Sequence, residues 1–185
     1  MNLPNKITLL RVFMIPAFLV VYMAQPFAQA QVNDWLVLVL FAAAAITDAL
    51  DGYLARKLKL VTNFGKLMDP LADKLLVCSA LVAFVASGAL PAWAVIIMIS
   101  REFYISGLRQ LALEQSRVLA ATGGAKFKTI SQVVLIIYVM LPIYTLVFAP
   151  VVWVLIAVSI ISSLWTAFDY TWKNREIFKL KGDSK

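Results

Sequence analysis

Apolar residues gather in six long blocks along this chain, and the polar residues between them fall in a one-sided pattern. The blocks cover about 6–24, 35–56, 64–86, 91–108, 127–148 and 151–171. Each approaches the ~20 residues that an apolar helix needs to cross a bilayer. Breakers stand between them: Pro26, the Ser-Gly-Ala-Leu-Pro stretch ending at Pro91, Gly123-Gly124 and Ala149-Pro150. The pattern predicts an all-α, polytopic integral membrane protein with six transmembrane helices.

The basic residues orient those helices. Lys6 and Arg11 lie in the first block, and Arg56, Lys57, Lys59, Lys66 and Lys74 flank the second connection. Arg101, Arg109, Arg117, Lys126 and Lys128 flank the fourth, and Lys173, Arg175, Lys179, Lys181 and Lys185 occupy the tail. The connections near 25–34, 87–91 and 149–150 hold no Lys or Arg. Six spans therefore place every basic residue on one side, which the positive-inside rule makes cytoplasmic, with both termini there. Ala28-Gln29-Ala30 resembles a signal-peptide cleavage site. Removing the first block would leave five spans and destroy the segregation, so it is expected to remain as a helix. Trp35, Trp93 and Trp153 sit just inside the opposite boundary, as an aromatic belt would place them.

Composition agrees. The chain has 185 residues, 62% of them hydrophobic and 15% charged, and a mean hydropathy of +0.86. A soluble domain of this length has no core large enough to hide so many apolar side chains. One membrane domain over residues 1–185, multi-pass in a plasma membrane of bacterial type, is the expectation. A formal net charge of +7 often signals nucleic acid, but here the charges are spaced between apolar spans, so no nucleic-acid partner is expected. The same charges suit lipid head groups. Cys78 is the single cysteine and histidine is absent, so a metal site would need oxygen ligands.

Four aspartates break the apolar character. On the second helix Asp48, Asp51, Gly52, Ala55 and Arg56 stand at i, i+3, i+4, i+7 and i+8, offsets that share one face. Gly65, Asp69 and Asp73 repeat an i, i+4, i+8 spacing on the third. Bare carboxylates are costly in a membrane, at about 2.5–3.5 kcal/mol each at a helix centre, and they repel one another. Divalent cations relieve both penalties, and an oxygen-only set of this size suits Mg²⁺ or Mn²⁺, with room for two ions. Small residues at 52, 55 and 65 let a ligand approach the backbone. The structural alternative makes Asp69-Pro70 a helix N-cap with proline in the first turn, and Asp51 with Arg56 a local ion pair.

The string Asp48-x2-Asp51-Gly52-x2-Ala55-Arg56-x8-Gly65-x3-Asp69-x3-Asp73 resembles the signature of the CDP-alcohol phosphotransferases, without departure at any signature position. LPNKITLLR, GKLMDPLADK, REFYISGLRQLA and GGAKFKT look like the phosphatidylglycerophosphate synthase branch, so the resemblance spans about the first 130 residues. It implies a six-helix homodimeric membrane enzyme with its site open to the cytoplasm. It also implies transfer of a phosphatidyl group from CDP-diacylglycerol to glycerol 3-phosphate, releasing CMP. Under it Asp48, Asp51, Asp69 and Asp73 hold the metal ions, and Asp73 is also the general base. Asp48, Asp51, Gly52, Ala55, Arg56 and Gly65 bind CDP. Acceptors such as inositol phosphate, serine or phosphatidylglycerol would leave the signature unchanged, and an ion-coupled transporter is the rival from another class.

Acceptor recognition points to the cytoplasmic-side cations. Arg101, Arg109, Lys126, Lys128 and Arg117 supply the forks and point charges that a phosphate dianion wants, and they serve equally as positive-inside markers. Glu102 could pair with one of them. Asn5, Thr8 and Arg11 form a polar stripe on the first helix, either pocket wall or interfacial anchor.

Overall fold

The computed structural model describes residues 3–57, 63–115, 123–141 and 149–175, with most of their side chains. They form α1 (Leu3–Ala24), α2 (Ala30–Lys57), α3 (Asn63–Ala86), α4 (Ala92–Glu114), α5 (Gly123–Met140) and α6 (Ala149–Lys173), with no strand among the described residues. The expected all-helical order is therefore observed. Among the described residues three helices are long and apolar enough to cross a membrane, within Lys6–Ala24, Ala30–Thr47 and Pro150–Lys173. The other three interrupt their apolar runs with charge: Asp69, Asp73 and Lys74 in α3, Arg101, Glu102 and Arg109 in α4, Lys126 and Lys128 in α5.

Several element boundaries differ from the sequence reading: α4 runs on to Glu114, six residues past the expected 108, α5 covers Gly123–Met140 against the expected 127–148, and two further differences have a visible cause. Helix α2 starts at Ala30, five positions before the expected Trp35, because Asn33 holds its entry. The buried Asn33 amide donates to the Phe27 carbonyl at 2.8 Å, and its Oδ1 accepts the Phe27 N–H at 3.0 Å. Just before, Gln25 takes a left-handed φ of 43° next to Pro26, turning the chain out of α1. Helix α3 starts at Asn63, nearly two turns before Asp69, so Asp69 is not its N-cap and Pro70 lies inside the helix. Pro70 cannot donate to the carbonyl four residues back, which loosens the ladder there.

The helices cluster as two compact units. In the first, α1 packs on α2 and α3, joined by the end of α5 from Ile136. The buried stripe of α1 is Thr8, Arg11, Ile15 and Phe18, spaced by three and four residues as a helix face requires. Phe18 meets Phe41 of α2 with ring centroids 6.1 Å apart, and Tyr22 meets Phe84 of α3 edge-on at 5.5 Å. Phe18 is fully buried, so truncating it to alanine would cost about 3–5 kcal/mol. Ala44, Ala72 and Ala80 are fully buried, and such small side chains let helix backbones approach closely.

In the second unit α4 packs on α6, with α5 as far as Leu135 beside them. The buried stripe of α4 runs Ala94, Met98, Arg101, Ile105, Leu108, Ala112. Ile105 and Leu108 cluster with Tyr170 of α6. Ser159, Ser162, Ser163 and Thr166 form a buried polar stripe on α6, the composition by which membrane helices associate. Large apolar side chains such as Phe13, Val20, Ile96, Ile161 and Trp165 point outward, a surface suited to lipid. Trp35, Trp93 and Trp153 are each more than half exposed near the N-terminal ends of α2, α4 and α6.

Candidate active site

Helix α2 is unbroken through residue 57, so the offsets among Asp48, Asp51, Gly52, Ala55 and Arg56 are true helical offsets. Their side chains lie outside the described residues, as does that of Asn5. On α3, Gly65 is buried, Asp69 half-buried and Asp73 exposed, at successive turns of one face. The aspartates are thus carried where α2 ends and α3 begins.

Helix α1 braces that region. Thr8, 1% exposed, donates its hydroxyl to Asp69 Oδ1 at 2.8 Å. One turn later Arg11, fully buried, directs Nε to Thr47 Oγ1 at 3.4 Å, the residue before Asp48. Thr47 Oγ1 donates to the Ala44 carbonyl at 2.7 Å. A single turn of α1 therefore contacts both acid-bearing helices. The sequence marked Thr8 and Arg11 as a polar stripe. It did not place them in the core, although both continue the period of Ile15 and Phe18.

Among the described residues no three His, Cys, Asp or Glu side chains gather tightly enough to hold a cation. Asp48 and Asp51 fall outside that set. The donors nevertheless fit a hard divalent ion: carboxylate oxygens on adjoining helices, with Asp69 already fixed through one oxygen by a hydroxyl.

The second unit holds a basic cluster. Arg101 donates through Nη2 to Thr166 Oγ1 at 3.0 Å and through Nη1 to Glu102 Oε1 at 3.1 Å. Lys128 Nζ donates to the same Glu102 oxygen. Arg101 Nε is buried without a hydrogen-bond partner. Arg109 is exposed, with its Nε 3.4 Å from the Tyr170 hydroxyl and its guanidinium carbon 5.9 Å from the Tyr170 ring centre. Lys126 is exposed, and Arg117 lies outside the described residues. Glu102 pairs with two cations where the sequence suggested one. At α5's start, a Cβ on Gly124 would stand 3.0 Å from Thr166 Cγ2, so the helices approach closely there.

Long apolar helices carrying aspartates at an α2–α3 junction define an all-helical membrane protein with an acidic site. The chain belongs to the CDP-alcohol phosphatidyltransferase family, which it matches over residues 1–165. It is 41% identical to the CDP-diacylglycerol–glycerol-3-phosphate 3-phosphatidyltransferase of Bacillus subtilis, over 93% of this chain and 96% of that protein. Proteins of the same name resemble it at 38% identity in Cereibacter sphaeroides, over 73% of this chain and 61% of that one, and at 41% in Rickettsia bellii, over 71% and 70%.

Proposed function

We propose that this chain transfers the phosphatidyl group of CDP-diacylglycerol to sn-glycerol 3-phosphate, giving phosphatidylglycerophosphate and CMP, as a step of phospholipid biosynthesis. The observation that carries the reading is the complete eight-position signature on the α2–α3 junction, in a chain alignable almost end to end with a relative named for that reaction.

The chemistry follows from the donors. Asp48, Asp51, Asp69 and Asp73 would hold two Mg²⁺ or Mn²⁺ ions. When bound, these ions neutralise pyrophosphate charge and stabilise the departing CMP. Gly52, Ala55, Arg56 and Gly65 line the CDP site together with Asp48 and Asp51. Asp73, the more exposed of the two signature aspartates whose side chains are described, takes the proton from the acceptor hydroxyl. The hydroxyl oxygen bonds to the lipid-side phosphorus, the bond from that phosphorus to the bridging oxygen breaks, and CMP leaves. With no covalent intermediate required, the protein's task is positioning and charge stabilisation.

The phosphate of the acceptor is recognised by Arg101, Arg109, Lys126 and Lys128, with Arg117. Of the polar stripe Asn5, Thr8 and Arg11 on α1, Thr8 and Arg11 are buried against α3 and α2 and brace the acidic site from behind. Membrane topology supports cytoplasmic access. Basic residues stand at the start of α1 (Lys6), end of α2 (Arg56, Lys57), start of α3 (Lys66), end of α4 (Arg109), start of α5 (Lys126, Lys128) and end of α6 (Lys173), whereas Arg11, Lys74 and Arg101 stand nearer the middles of their helices. Those ends coincide on one side when all six helices span the membrane, and that side is cytoplasmic under the positive-inside rule. The whole chain then works as one domain in the plasma membrane, as a homodimer.

The test is CMP release from CDP-diacylglycerol by purified protein with Mg²⁺ or Mn²⁺, each acceptor being added in turn. Glycerol 3-phosphate should support turnover far above inositol phosphate, serine or phosphatidylglycerol. Release with another of these and none with glycerol 3-phosphate would assign a different acceptor.

A further inference from the structure

We infer that Thr8 is a positioning residue for the acidic site: through its hydroxyl it sets the orientation in which Asp69 meets a divalent cation. The inference rests on the proposed cation-dependent reading of that site. Thr8 is almost completely buried in the middle of the first unit, and its hydroxyl reaches across 61 residues of sequence to Asp69 Oδ1 at 2.8 Å. A hydroxyl bonded to an ionised carboxylate is a charge-assisted contact, shorter and stronger than a neutral one. The branched Cβ leaves a helical threonine two χ1 rotamers, and the one adopted here aims the hydroxyl at Asp69.

The surroundings need that control. Pro70, directly after Asp69, removes one rung of the α3 ladder, so the backbone alone holds Asp69 less firmly than an ordinary helical position. Arg11, one turn beyond Thr8, contacts Thr47 beside Asp48, so the same turn of α1 also fixes the partner helix. Interhelical adhesion is the competing explanation, since threonine commonly joins helices in membranes. The two differ in what they do to cation affinity.

Thr8→Val keeps the shape and removes the donor, Thr8→Ser keeps the donor, and Thr8→Cys offers a weak one of similar size. Two quantities are measured on the intact protein: Mn²⁺ binding without substrate, read by electron paramagnetic resonance, and the thermal midpoint in metal-free buffer. Outer-shell substitutions typically weaken metal binding about 10- to 100-fold. Thr8→Val should show that loss, Thr8→Cys should fall between it and wild type, and Thr8→Ser should stay within about threefold of wild type. A lowered midpoint with unchanged Mn²⁺ affinity in Thr8→Val would make Thr8 adhesive only and overturn the inference. Equal losses in the Ser and Val variants would overturn it too. Should the Val variant not fold, the Cys variant decides: wild-type Mn²⁺ affinity there is refuting. Wild-type protein that binds Mn²⁺ yet releases no CMP with any acceptor would refute the proposed function and leave this result standing.

Discussion

Removing the Glu102 carboxylate should destabilise the second unit severely, and removing Lys128 as well should return part of the loss. The Arg101, Lys128 and Glu102 side chains are 8%, 4% and 17% exposed, with both cations on one Glu102 oxygen. Glu102→Ala leaves two buried cations side by side. The remaining described contacts of Arg101 are one hydroxyl, Thr166 Oγ1, at Nη2, and its Nε has no partner. Breaking a buried pair by deleting one member costs about 3–5 kcal/mol, because the surviving charge stays desolvated. For a chain of this length that corresponds to a fall of about 6–20 °C in Tm. The assay is thermal unfolding in detergent followed by tryptophan fluorescence, on Glu102→Ala, Lys128→Met and the double variant. Residues that share a contact should show a coupling of about 0.5–3 kcal/mol, and the double variant should be more stable than the sum of the singles predicts. Inorganic phosphate should also raise the Tm of Glu102→Ala more than that of wild type, since an anion can replace the lost carboxylate. Additivity to within about 0.5 kcal/mol, or a Glu102→Ala midpoint equal to wild type, would refute the reasoning.

Asp73→Asn should lower kcat by at least about 10²–10⁴-fold while equilibrium binding of CDP-diacylglycerol persists, and a normal rate would remove Asp73 as the base. Arg109→Ala, at an exposed position on the Tyr170 ring, should raise the apparent KM for glycerol 3-phosphate more than that for the lipid. Equal changes in both would mean that Arg109 does not hold the acceptor phosphate. Chelation with EDTA should abolish CMP release, and restoring Mg²⁺ or Mn²⁺ should recover it; turnover that survives exhaustive chelation would refute a metal-held pyrophosphate.

The helices were readable because apolar run length and breakers carry most of the information about a membrane segment, and the observed ends fall within a few residues of most expected ones. The exceptions are the C-terminal ends of α4, at Glu114 against 108, and of α5, at Met140 against 148, and the start of α2. The signal for an earlier entry was Asn33, an ordinary loop residue in sequence that becomes a buried bridge to Phe27 once α1 turns at Gln25 and Pro26. The acidic signature was visible in the sequence as a regular spacing of carboxylates, whereas the brace behind it was not. A basic residue beside a membrane span reads as a topology marker whether it faces lipid head groups or the protein core.

Phase separates the two cases. Arg101 falls in step with Ala94, Met98, Ile105 and Leu108 and is buried, while Arg109, one position out of step, is exposed. Thr8 and Arg11 fall in step with Ile15 and Phe18, and both are buried. Burying a polar group in step with a core stripe is unfavourable unless it finds a partner. Each of these three has one across a helix interface: Asp69 for Thr8, Thr47 for Arg11, Thr166 for Arg101. A polar residue in phase with an apolar stripe is therefore a better pointer to a structured contact than its charge, and two of the three such contacts here lie at or beside an aspartate of the signature.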